Sequence, residues 1–125
     1  MATQRSFLIL AFGLVTVIAL LYGVSPSWFA ATFLGVADPG VNLAHILRAM
    51  MCLYLALGLF WLFAAFSEKH RRTAVLTTIV FAGGLVIGRA VSFVLDGAPS
   101  FLLLFYAALE LTIVPIAWWV YSRSE

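Results

Sequence analysis

Four apolar runs, at residues 6–24, 43–66, 74–95 and 101–121, take up most of this 125-residue chain. Each is close to twenty residues, the length that crosses a hydrocarbon layer of roughly 30 Å at about 1.5 Å per residue. No water is available there to hydrogen-bond an open backbone. Each run must satisfy its peptide groups within itself, and a helix does so. Charge points the same way: Asp, Glu, Lys and Arg make up 10% of the residues against 65% hydrophobic, with mean hydropathy +1.13. A soluble domain needs nearer a quarter charged residues to solvate its surface. The sequence therefore predicts an all-α membrane protein, a four-transmembrane-helix bundle forming one integral membrane domain over residues 1–125.

The connections refine this. Ser25 followed by Pro26 reads as an N-cap with proline at the first helical position. Phe29, Phe33 and Val36 then recur at helical spacing and Gly35 ends the run. This is a short interfacial helix between helices 1 and 2, with Trp28 at headgroup level. Asp38, Pro39 and Gly40 form a turn, after which Asn42 is placed to cap the second helix. Arg5 ahead of the first run raises the question of a signal peptide. The apolar run is long for one and no small-x-small cleavage site follows, so a retained helix is expected.

Arg5, Lys69, Arg71, Arg72 and Arg123 fall on one side of a four-span topology, and the loops around Asp38 and 96–100 carry no basic residue. That asymmetry predicts both termini in the cytoplasm. Trp61, Trp118, Trp119 and Tyr121 are expected in the inner aromatic belt, Tyr22 and Trp28 in the outer one. There is no Lys/Arg-rich arm or stripe, so no nucleic acid partner is expected. The single cysteine, Cys52, cannot form an internal disulfide and reads as a packing thiol.

A charge in mid-membrane costs about 2.5–3.5 kcal/mol on insertion scales, so each one needs a reason. His45, Arg48, Arg89 and Glu110 lie inside the runs, with Asp96 at a helix end, and all five open toward the non-cytoplasmic half. His45, Arg48 and Cys52 share one helix face, and Arg89, Ser92 and Asp96 repeat that spacing on the third helix. Gly84, Gly88 and Ser92 form a small-residue ridge suited to helix packing. Pro115 frees the carbonyl of Leu111, a further polar group for the same cavity. Two arginines and two carboxylates balance, so these residues form a candidate ligand-binding pocket or polar network. Singly each has a structural reading: Arg48 snorkels to the headgroups, Asp96 ends a helix at Gly97, Arg89 forms an ion pair that fixes helix register, and His45 packs. His45 and His70 sit on opposite sides, so no metal site is expected. No catalytic residue set, nucleotide fingerprint or cofactor motif occurs, and no cofactor is expected.

The stretches HILRAMMCLYLALGLFW (45–61) and FAGGLVIGRAVSFVLDGAPSFLLLFYAALE (81–110) carry these odd polar residues, and in them the chain resembles the bacterial membrane family catalogued as domain of unknown function 4345. The resemblance runs over nearly the whole chain after Tyr22. It implies a small four-helix protein of the bacterial cytoplasmic (inner) membrane and supplies no activity.

Three functional classes follow. The first is a protein that binds or moves a lipid-like or other amphipathic small molecule in its outer half, with Arg48 and Arg89 gripping the headgroup and Glu110 and Asp96 balancing charge; a proton-coupled version uses Glu110 as carrier. The second is an accessory or assembly subunit, with a partner membrane subunit or a second copy docking on the small-residue ridge. The third, least favoured, is a membrane-embedded enzyme with His45 or Glu110 as general base.

Overall fold

A computed structural model describes residues 2–99 and 101–123. Five helices follow in order: α1 Ala2–Gly23, α2 Pro26–Phe29 continuing into a π-helical turn Ala30–Leu34, α3 Gly40–Ala65, α4 Glu68–Leu95 and α5 Phe101–Ser122. Four of them, α1, α3, α4 and α5, are long and apolar enough to cross a membrane. The four-helix bundle with a short helix between its first two spans is thus the fold observed.

The helices are longer than the apolar runs, most of all α4, which begins at Glu68 rather than at residue 74. Hydropathy marks where lipid is tolerated. The intervening Glu, Lys, His and Arg are good or neutral helix formers and carry the helix on toward Ser67. His70 therefore stands in the first turn of α4, and only Phe66 and Ser67 separate α3 from α4.

Ser25 caps α2 as expected: its Oγ accepts from the Trp28 N–H at 3.4 Å, with Pro26 at the first position. Gly35 ends the π-turn at φ 71° and Gly97 follows α4 at φ 91°, left-handed positions that glycine takes without a Cβ clash. Asn42, in contrast, caps nothing. It lies inside α3, whose start is set by Asp38, whose Oδ1 accepts from the Gly40 N–H at 3.1 Å. Asp38 occupies the turn itself, two residues before the donor, which Asn42 cannot reach from within the helix.

Packing divides the bundle into two intimate pairs, α1 with α3 and α4 with α5. The close approach of α1 and α3 uses glycines that the sequence did not single out. A Cβ on Gly58 would stand 2.9 Å from Val15 Cγ1, and one on Gly23 would run into Met51. The expected ridge of Gly84 and Gly88 meets no neighbouring helix; a Cβ on either finds nothing within 4 Å. The reason is that α3 and α4 touch less than either intimate pair, and α4 is exposed on every face from Ala90 to Asp96.

An aromatic column joins the pairs. Phe29 of α2, fully buried, meets Tyr22 at 4.9 Å between ring centroids; Tyr22 meets Tyr54 at 5.8 Å, Tyr54 meets Phe81 at 5.1 Å, and Phe81 meets Trp61 at 5.7 Å. All four contacts are edge-to-face, the favoured geometry for ring quadrupoles. Trp61 and Tyr22 therefore belong to the core, 3% and 5% exposed, and not to the belts. Trp61 donates to Thr77 Oγ1 at 2.9 Å, which satisfies inside the bundle the N–H that the belt would have satisfied at the headgroups. Trp28, Trp118 and Trp119 are exposed, as belt residues are. Cys52 is also exposed, on the outer face of α3, where lipid accommodates a thiol without packing.

The basic residues gather at one end. Arg5 and Arg71 both donate through Nε to the Ala65 carbonyl, at 3.3 and 3.2 Å, and complete the C-terminal end of α3. Arg72 lies 4.2 Å over the Tyr121 ring and Arg123 4.9 Å over Trp119. At this end Gln4 Nε2 also donates to the Val120 carbonyl, tying α1 to α5.

The two glycine sets respond differently to substitution. Gly58→Leu is expected to destabilise by about 1–3 kcal/mol through overpacking against Val15. Gly84→Ala is expected to stabilise by up to about 1 kcal/mol through helix propensity alone. Denaturant titration in micelles, followed by circular dichroism, measures both.

Candidate functional site

The site is built where α4 and α5 face the α1–α3 pair at the end opposite the basic cluster. Arg89 lies two turns before the end of α4, and its guanidinium forks onto Glu110 of α5. Nη2 is 3.0 Å from Oε1, and Nε is 3.1 Å from Oε2 and 3.3 Å from Oε1. Glu110 sits three turns into α5 and is 9% exposed. Its charge is matched by a bidentate partner, the arrangement that makes an ion pair tolerable away from water. The Tyr22 hydroxyl of α1 lies beside the guanidinium, and Tyr54 of α3 stands near both charges.

The pair separates two spaces. Behind Glu110 is a chamber of about 60 Å³ lined by Tyr22, Tyr54, Trp61, Thr78, Tyr106 and Glu110 among apolar side chains. The Thr78 hydroxyl is committed to the Val75 carbonyl at 2.6 Å. The Tyr106 hydroxyl is buried with no partner among the described residues. On the other side, Arg89 lines a groove of about 410 Å³ between α3 and α4. Its floor is Gly84 and Gly88, its walls are apolar side chains such as Phe29, Leu47 and Met50, and Ser92 lies at its polar edge. Tyr22, Tyr54 and Leu85 line both spaces and form the partition.

The other expected members lie elsewhere. Arg48 does not join Arg89. Its Nη1 donates to the Gly23 carbonyl at 3.1 Å, completing the last turn of α1, because its helix face turns toward α1 and away from α4. His45, Arg48 and Cys52 do share a face, but it is a shallow outer one on α3. Ser92 Oγ donates to Asp96 Oδ2 at 2.7 Å, both exposed, so Asp96 serves the end of its own helix. Leu111 is 62% exposed on the far side of α5 from the chamber, and Pro115 is exposed with it, so the carbonyl freed by this proline does not serve the cavity. The five polar groups thus fall into three places, and Arg89 with Glu110 is the centre. Among the described residues no three His, Cys, Asp or Glu side chains gather as a metal site would require.

The three tyrosines were missed from the sequence. The signal was present: a tyrosine many residues from a helix end has no headgroup to reach, so its hydroxyl must find a partner inside. Tyr54 in mid-α3 met that description; Tyr106, only five residues into α5, did not.

Two antiparallel helix pairs, an aromatic column and a forked ion pair define a multi-pass membrane protein with a polar centre in one half. The chain belongs to the family whose model, described as Domain of unknown function (DUF4345), matches residues 3–121, a span that includes every residue of the centre. Ser100, part of the stretch that carried the resemblance, lies outside the described residues. No curated protein and no solved structure matches the chain.

Removing one partner of the fork strands a buried charge. Arg89→Met is expected to cost about 3–5 kcal/mol, and the double variant Arg89→Met/Glu110→Leu to recover most of that loss. A double-mutant cycle from reversible unfolding in mixed micelles reads the coupling.

Proposed function

We propose that this protein binds or moves a lipid-like amphipathic molecule, held in the groove between α3 and α4 with its polar head on Arg89. The observation that carries the reading is the groove itself. It is within the size range of small-molecule sites, it is apolar along its length, and it has a single guanidinium at one point of its wall. Gly84 and Gly88 leave it open where side chains would close it. Arg48, bound to the end of α1, takes no part in this grip, and Asp96 is too exposed to balance its charge.

A second reading has its own support. The exposed far half of α4 and its glycine floor are what a partner helix or a second copy needs in order to dock, so an accessory-subunit role uses the same surface. We also place the protein in a bacterial cytoplasmic membrane with both termini inside, on the strength of the basic cluster formed by Arg5, Lys69, Arg71, Arg72 and Arg123.

Native mass spectrometry of gently extracted protein separates the two roles. A stoichiometric small mass that disappears in Gly88→Leu supports the ligand reading. A retained polypeptide with no small molecule would leave the subunit reading in its place. Orientation is tested in a Cys52→Ala background on intact cells: a membrane-impermeant maleimide is expected to label Asp38→Cys and to leave Lys69→Cys untouched.

A further inference from the structure

Two features of the centre have no part in holding a tail: the chamber behind Glu110 and the unpartnered Tyr106 hydroxyl that lines it. Their meaning comes from counting charge. Arg89 and Glu110 together are neutral, and they sit between apolar spaces where an uncompensated charge is costly. Arg89 lines the groove, whereas Glu110 lines the chamber. An anion arriving in the groove meets Arg89 and competes for the fork that now holds Glu110. If Arg89 turns to it, Glu110 is left facing the chamber as a second negative charge.

We propose, resting on the ligand reading above, that the occupant is an anionic amphiphile and that its binding is coupled to uptake of one proton by Glu110. The head takes over the Nε and Nη2 donors of Arg89, and the Glu110 carboxylate gains a proton from solvent and becomes a neutral acid. The centre holds one positive and one negative charge before the exchange and the same after it. Every group that faces Glu110 fits this assignment. Arg89 on α4 is the only cation beside it among the described residues, and Tyr22 on α1, Tyr54 on α3 and Tyr106 on α5 are neutral phenols. His45 is on the outer face of α3 and does not face Glu110. At about 60 Å³ the chamber leaves space beside Glu110 and the Tyr106 hydroxyl, so the neutral acid is not crowded by a fixed charge.

The shared chemistry is a monoanionic head, whether a phosphodiester or a carboxylate. The test uses a single-chain lysophosphatidylglycerol, whose own charge does not titrate near neutrality, and lysophosphatidylcholine of equal chain length as the zwitterionic match. Protein in phosphatidylcholine nanodiscs is titrated calorimetrically at pH 7 in two buffers of different ionisation enthalpy. The wild type is expected to take up about one proton per lysophosphatidylglycerol bound. Glu110→Gln, folded by circular dichroism, is expected to bind at least as tightly with none. Lysophosphatidylcholine is expected to bind, if at all, without a proton. Should Glu110→Gln fail to fold, the wild type alone suffices: its Kd for lysophosphatidylglycerol is expected to weaken with rising pH, by up to tenfold per unit, because binding takes up a proton. Saturable binding with no proton, or equal uptake in Glu110→Gln, overturns the coupling and leaves the ligand reading standing. A lysophosphatidylcholine Kd equal to that for lysophosphatidylglycerol overturns the anionic class. No saturable binding of either amphiphile overturns the proposal and, together with a groove empty in native mass spectrometry, the ligand reading with it.

Discussion

The fork from Arg89 to Glu110 is the contact around which the far half of the bundle is arranged. Beyond it α4 is exposed on every side, and little else draws that segment onto its neighbours. A guanidinium and a carboxylate that must neutralise each other fix the rotation of both helices, since each has one face on which its charge can meet the other. That rotation turns Gly84 and Gly88 toward α3 without bringing them to it. The groove is thus a product of the ion pair as much as of the glycines.

The same logic explains what the sequence made legible. A membrane-spanning helix is a strong signal, because lipid excludes nearly every alternative, and all four spans appear where the apolar runs lie. The cap at Ser25 and the stops at Gly35 and Gly97 are local chemistry, settled within a few residues, and they were legible for that reason. The start of α4 was not, since its first six residues are polar and helical at once.

The centre was legible in part. Arg89 and Glu110 stood out because burial of charge needs a partner, and they are partners. Arg48 stood out on the same grounds and found another use, a backbone carbonyl at the end of α1, an outcome that depends on which face of α3 packs against which helix. Spacing along one helix says nothing about that. Trp61 and Tyr22 failed as belt residues for a related reason: an amphipathic ring can satisfy its polar atom at the headgroups or within the core, and the choice between Thr77 and the interface is made by tertiary packing. The Gly84–Gly88 ridge shows the converse case, small residues that permit a close approach which no helix of the chain makes.

The two-residue link between α3 and α4 gives these helices an asymmetry of purpose. At the basic end Trp61 and Thr77 hold them together, while at the other they stand apart over the groove. A cleft of that shape between spanning helices opens sideways. An amphiphile of the proposed kind would enter it from within the bilayer leaflet, so its supply would depend on abundance among the surrounding lipids and on diffusion in two dimensions. On the proposed ligand reading, a weak intrinsic preference is then enough for occupancy, and discrimination would rest on the head rather than on the length of the chain behind it.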